Sequence, residues 1–357
     1  STTATASVSG GDKAKDDGSA PAPGGGSGSG ETVDDKVAGQ QNKATGAGKT
    51  TAAKAPATTP AAGSSASDKL DTNKQTAPKG ESSEGGVSVA AAVGVNIGVA
   101  TTTARVGKGK RITSSAGALK VSSANQTDSS AKADGSQVDS AKSTNVGVGA
   151  AVALNVGAAT TTAVVADEAD VSTQGLTISA TGVSGEKSDS SAEAKSGAGA
   201  GNVGVAGSLA INSATNTTVA LLEGNTDGDA AVAQVDANGG AVLIEALNAT
   251  TSSAKVSADV KGTGGSAKVG VGASIGVNVG VNTTVAEVGD QTRLTDAGSV
   301  GLNATAEHAM TTEVTGGAAG AKVSVTPVVA ATIAVNTTTA RLGNGARAAM
   351  DGNGDDQ

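Results

Sequence analysis

The chain has 357 residues, contains no Phe, Tyr, Trp or Cys, and carries a formal net charge of −8. Without aromatic side chains, a thick globular core is disfavoured, and thin layers of Val, Ala and Ile stacked many times are favoured instead. The absence of Cys excludes disulfides, thiolate metal sites and cysteine nucleophiles. The acidic balance argues against nucleic acid as a partner, because phosphate binding needs clustered Lys and Arg.

The first 85 residues divide into a short strand-like piece and a long low-complexity piece. Residues 1–11 alternate Ser or Thr with Ala and resemble the last segment of the repeats that follow, so they are predicted to end a preceding repeat. Residues 12–85 have almost no large apolar side chains and cannot offset an ordering cost of about 1 to 2 kcal/mol per residue. They are predicted to form a long disordered loop. The start carries neither an initiating Met nor an export signal, so we expect the segment to come from a longer chain.

A repeat occupies the rest of the sequence. Five 18-residue stretches of Val, Ala, Gly and Asn, each ending in a Thr-rich element and an Ala, align without a gap, at residues 87–104, 146–163, 203–220, 269–286 and 323–340. Their spacing of 54 to 66 residues defines a repeat of about 60 residues. The predicted units are residues 86–144, 145–201, 202–267, 268–321 and a truncated 322–357.

Each unit is predicted to contain two strands and a weaker third segment. In the long stretch, Val, Ala and Ile occupy every second position and Gly, Ser and Asn the others, which is the period of a strand with one buried face. We expect the Val and Ala columns to fill the interior, with room for a close second layer on the glycine side. A second alternating strand follows, as at Leu176 and Ile178, and then a segment rich in Ser, Ala and Lys, predicted as a weaker strand or a loop.

These elements predict an all-β chain folded as a right-handed parallel β-helix, or β-solenoid, of about 60-residue repeats, with the disordered loop before it. About 60 residues would supply two or three coils of ordinary length. Equivalent asparagines of successive units would then lie several coils apart. Asn96, Asn155, Asn212 and Asn278 therefore need not form a directly stacked ladder, although the repeat suggests one, and the fifth unit has Thr332 at this position.

Few residues suggest chemistry, and no catalytic or cofactor-binding residue is predicted. His308 is the only histidine and is expected to lie on the solvent-exposed surface, since nothing marks a nucleophile for a hydrolytic triad. Two acidic turns resemble the first half of an oxygen-ligand calcium loop and lack its second half. Their candidate ligands are Asn225, Asp227, Asp229, Asp351, Asn353 and Asp355. Turns at solenoid corners explain them more simply, so calcium is the only cofactor considered.

The repeats resemble those of large filamentous adhesins and leukotoxin-like exoproteins of Gram-negative bacteria over residues 87–350, through VGVGAAVALN, the Thr pair and the Gly-led strand closing on Ala. The resemblance implies a non-catalytic stalk on the cell surface, exported by a type V route through an outer-membrane transporter. It also implies attachment to a host-cell or matrix surface, with specificity in loops such as residues 12–85. Pro327 departs from the pattern and indicates an edge, a bulge or a corner.

Two alternatives accompany this prediction. The leukotoxin side of the resemblance allows a segment that acts on host membranes, although no stable membrane span is predicted, because the apolar stretches alternate and carry Asn and Thr. An ice-binding solenoid is suggested by the runs at Thr101–Thr103 and Thr160–Thr162. It is disfavoured, because one such patch per 60 residues does not make a continuous flat array of threonines.

Overall fold

The computed structural model describes residues 2–8, 74–80, 86–137, 145–183, 186–225, 228, 232–262 and 267–350. Within these ranges the chain has no helix, and its strands form three parallel sheets. The strands are β1 (Thr2–Val8), β2 (Lys74–Gly80), β3 (Val87–Val106), β4 (Arg111–Thr113), β5 (Leu119–Ala124), β6 (Ser129–Ser136), β7 (Val146–Val165), β8 (Asp170–Ser172), β9 (Leu176–Thr181), β10 (Ser188–Ala200), β11 (Val203–Leu222), β12 (Gln234–Asp236), β13 (Ala241–Gly262), β14 (Ala267–Val288), β15 (Arg293–Thr295), β16 (Ser299–Ala318), β17 (Gly320–Val325), β18 (Val328–Leu342) and β19 (Arg347–Ala348).

The sheets follow the order of the repeats. A first sheet has the order β17-β14-β11-β7-β3, with β18 also paired to β14. A second sheet, of order β2-β1-β6-β10-β13-β9-β5 with β16 also on β13, packs against it. A short corner sheet of order β19-β15-β12-β8-β4 joins the two. Parallel neighbours that are far apart in sequence define a parallel β-helix, which confirms the predicted fold class.

Each unit of about 60 residues forms one coil, so the prediction of two or three coils per unit was wrong. All twenty residues of β3 pair in register with β7, and all twenty of β7 pair with β11. One coil takes about 60 residues because its long strands are three times the usual length of 5 to 6 residues. β3, β7 and β11 have 20 residues each, and β13 spans 22.

The predicted third segment is a true strand, seen in β6 and β10, and in the second half of β13 and of β16. β1 pairs with β6 and so occupies the place of a third segment in a neighbouring coil. Residues 74–80, inside the predicted loop, form β2 and pair with β1. The rest of that loop, residues 12–73 and 81–85, lies outside the described residues. Pro327 falls in the break between β17 and β18, both of which pair with β14.

The interior face of the first sheet is the opposite of the one predicted. In β14 the buried positions are those of Gly272, Ser274, Gly276 and Asn278, whereas Ile275 on the alternate face is 43% exposed. The columns of Val and Ile therefore face outward. The interior between the two sheets is instead filled by Ala, Gly, Ser and Asn, and one of its clusters consists of alanines with a single Val.

Glycine is needed there because the two sheets approach so closely. A Cβ placed on Gly149 would lie 2.3 Å from the carbonyl oxygen of Gly197, and one on Gly272 would lie 2.2 Å from that of Gly317. Both contacts are to backbone, which cannot rotate away. The expectation of a close second layer on the glycine side was thus correct. Larger apolar side chains form a separate core near the corner sheet, with Leu176, Ile178, Leu222, Ile244 and Leu294 fully buried.

Candidate functional site

A ladder of asparagine side chains runs through the interior along the axis of the coils. Asn96 donates from Nδ2 to Oδ1 of Asn155 at 2.8 Å, Asn155 donates to Asn212 at 2.7 Å, and Asn212 donates to Asn278 at 3.0 Å. Asn155, Asn212 and Asn278 have no exposed surface. The expectation that equivalent asparagines lie several coils apart was wrong, because one unit is one coil and equivalent residues are direct neighbours. The sequence did indicate the ladder, because the same Asn recurs at the equivalent position of the first four units. In the fifth unit that position holds Thr332.

Serines from the second sheet complete this ladder. Asn155 and Asn212 donate to Oγ of Ser190 and Ser252 at 2.9 Å and 2.8 Å. Ser252 in turn donates to Oδ1 of Asn278 at 2.6 Å. Each buried amide thus has partners both in its own sheet and across the interior. A fully satisfied polar network of this kind fixes the register of both sheets, because a slip by one residue would leave every member without a partner.

A second polar column, on the corner side of the ladder, is less completely satisfied. Asn216 donates to Asn282 at 3.0 Å, and Asn282 donates to Asn336 at 2.8 Å. Across the interior, Nδ2 of Asn125 and of Asn248 is buried and has no hydrogen-bond partner within the described part of the chain. Both asparagines line a small cavity with Thr161 and Thr218, among others. Polar cavities of this type commonly hold ordered water.

His308 lies on the inward face of the second sheet, so its predicted position on the solvent-exposed surface was wrong. Its Nδ1 lies 2.8 Å from Oγ1 of Thr250, and its Nε2 is buried without a partner among the described residues. Burial lowers the pKa of His308 below its usual value. Within the described part of the chain, no carboxylate is hydrogen-bonded or ion-paired to His308, as a catalytic triad would require. The contact with Thr250 is one more cross-strand pair, since the two residues oppose each other in β13 and β16.

Of the calcium candidates, the structure describes only Asn225. Its Oδ1 accepts a hydrogen bond from the backbone N–H of Gly228 at 2.6 Å, and its Nδ2 donates to Gln291 at 3.0 Å. These contacts are typical of a turn. Asp227, Asp229, Asp351, Asn353 and Asp355 lie outside the described residues. Among the residues that the structure describes, no cluster of three or more His, Cys, Asp or Glu could hold a metal ion. The calcium site stays a prediction.

The outer faces of the two sheets differ in character. On the second sheet, Lys132, Glu193, Lys255 and Glu313 occupy equivalent positions of adjacent strands, so that positive and negative charges alternate along the axis. Lys132 Nζ lies 3.0 Å from Glu193 Oε2, and Lys255 Nζ lies 3.9 Å from Glu313 Oε2. Exposed pairs like these add little stability each, and they make that face strongly polar.

The outer face of the first sheet carries apolar columns and, beside them, threonine columns. Val93, Ile97 and Val99 are 63%, 69% and 75% exposed. The outward threonines that follow form an unbroken column in register, Thr101, Thr160, Thr217, Thr283 and Thr337. The next outward column holds Thr103, Thr162, Val219, Val285 and Thr339. One threonine column is therefore continuous across the five coils, whereas the second is interrupted by two valines.

No family model, curated protein or solved structure matches the chain. The described residues form no helix with the length and the apolar character needed to cross a membrane.

Proposed function

We propose that this chain is a structural stalk segment of a secreted or surface-displayed bacterial adhesin and has no catalytic role. The observation that carries the proposal is the gapless pairing of β3, β7 and β11 over twenty residues each. The second sheet adds a parallel ladder of the same kind, with thirteen residues of β10 paired to β13. Backbone hydrogen bonds in a β-helix run along the axis, so these ladders share any load along the stack.

The interior supports the same role. Two thin sheets held together by close backbone contacts and a buried amide ladder make a stiff, repetitive body. The resemblance of the repeats to filamentous adhesins agrees with this, as does a composition without Cys or aromatic residues. Under this proposal the chain is displayed at the cell surface after export by a type V route, and a host-cell or matrix surface is the partner of the whole adhesin.

A stalk built in this way is expected to unfold one coil at a time when it is pulled along its axis. The chain has no Cys, so handles can be attached through Gly86→Cys and Met350→Cys alone. Single-molecule force spectroscopy is expected to show regularly spaced force peaks. Each would release one coil of 54 to 66 residues, or roughly 190 to 240 Å of chain at about 3.6 Å per residue. Release of all coils in one step, or extension without force peaks, would contradict the proposal.

The threonine columns favour a second function, which is binding to ice. In the unbroken column the hydroxyl and methyl groups repeat at the strand spacing of about 4.8 Å along the axis, and this regular spacing is suited to ordering water at the surface. If the array binds ice, a solution of the full chain is expected to freeze at a lower temperature than that at which ice in it melts. Thr217→Lys, in the middle of the unbroken column, should reduce that gap several-fold, whereas Thr177→Lys on the outer face of the second sheet should not. A wild-type chain without any freezing gap would exclude this function.

A further inference from the structure

The outer face of the first sheet has a chemical character that the stalk role does not explain. We define the outer valine face as the outward positions of residues 87–99, 146–158, 203–215 and 269–281 on β3, β7, β11 and β14. These positions hold Val, Ile, Leu and Ala with one Gly, one Ser and one Thr, and no charged residue. The outer face of the second sheet, by contrast, carries the alternating Lys and Glu column. Monomeric proteins rarely expose a contiguous apolar patch of this extent.

The outer valine face also has a regular relief. A column of small residues, Ala91, Ala150, Gly207 and Ala273, lies across the four strands in register. The next column along the strands is large, with Val93, Val152, Leu209 and Ile275. A groove therefore runs beside a ridge along the axis. A surface with a ridge and a parallel groove can receive an identical surface turned by a two-fold axis, with each ridge entering the other copy's groove.

The area of the face fits a stable dimer. Thirteen residues along a strand span about 40 Å and four strands span about 20 Å, which gives roughly 800 Å² per copy. Two copies packed face to face would then bury about 1,600 Å², the size of a standard specific interface. Such an arrangement would place four sheets in layers, with the two outer valine faces at the centre.

Other occupants fit the face less well. Residues 9–73 contain only Val33, Val37 and Leu70 as large apolar residues, too few to cover four strands. A lipid surface is the other apolar partner. Proteins that lie on membranes use aromatic residues and a basic rim, and this chain has no aromatic residue and a net charge of −8. We therefore propose that the outer valine face is the docking surface for a second copy of this chain, packed face to face.

Sedimentation equilibrium of the full chain tests this proposal. The wild-type chain is expected to show a concentration-dependent mass that reaches twice that of the monomer. Leu209→Lys places an unpaired charge at the centre of the face and is expected to weaken dimerisation by about 100-fold or more. Leu243→Lys is the matched control, because it makes the same change at a half-buried outward position of the second sheet. It is expected to dimerise like the wild type.

Folding is checked separately by circular dichroism and thermal melting of both variants. If Leu209→Lys does not fold, Ile97→Lys replaces it, since Ile97 is 69% exposed and a lysine there reaches solvent in the monomer. A wild-type chain that stays monomeric at all concentrations would overturn the proposal, as would a folded Leu209→Lys chain that still dimerises. So would a monomeric wild type that floats with phosphatidylcholine vesicles while Leu209→Lys does not, which would assign the face to lipid.

Discussion

Replacing Asn212 by Ala is expected to lower the free energy of unfolding by about 3 kcal/mol or more, because its amide is a central member of the interior ladder. The side chain accepts from Asn155 and Ser190 and donates to Ser252 and Asn278. Its removal leaves fully buried neighbours with fewer partners and a cavity beside them. Chemical denaturation of the full chain, followed by circular dichroism, measures the loss.

Asn202→Ala is the control for this prediction. Asn202 donates from Nδ2 to Asn145 at 2.9 Å, which is the same amide-to-amide contact between neighbouring coils, but this pair is exposed. Water can replace the lost bond there, so a change below about 0.5 kcal/mol is expected. Equal effects at Asn212 and Asn202 would show that burial of the ladder contributes nothing.

Gly149→Ala is expected to destabilise the chain by about 2 to 3 kcal/mol, although it adds a single methyl group. The added Cβ would lie 2.3 Å from the carbonyl oxygen of Gly197 and 3.0 Å from that of Gly135, both in the second sheet. Since both obstacles are backbone atoms, the sheets must separate locally, and the neighbouring alanine contacts are lost with them. A lower midpoint of chemical denaturation is the expected measurement.

The same substitution at Gly207 gives the opposite expectation. Gly207 points outward from β11, and a Cβ there would meet nothing within 4 Å. Gly207→Ala should be neutral or stabilise by up to about 1 kcal/mol, because alanine restricts the unfolded chain. A comparable loss in both variants would mean that glycine matters in these strands for flexibility and not for the close approach of the sheets.

The strands and the fold class could be predicted from the sequence, since period-two alternation and a gapless five-fold repeat are local properties. The number of coils that each unit forms could not be predicted as easily. Ordinary solenoid coils are shorter, and nothing local shows that β13 continues as a single strand through both the second and the third segments of its unit. Because the unit was assigned too many coils, the asparagine ladder and the threonine columns were both discounted.

The sequence by itself determined the alternation, the repeat and the identity of the residues that stack, because each coil repeats the same positions. Only the tertiary structure decided which face of the first sheet is buried. Transfer free energy favours Val inside, yet the opposing sheet approaches so closely that mainly the small residues Gly, Ala and Ser, with Asn, fit on the inner face of the first sheet. The valines are left outside, where Val99 is 75% exposed. Packing distance, which no single strand encodes, outweighed side-chain hydrophobicity.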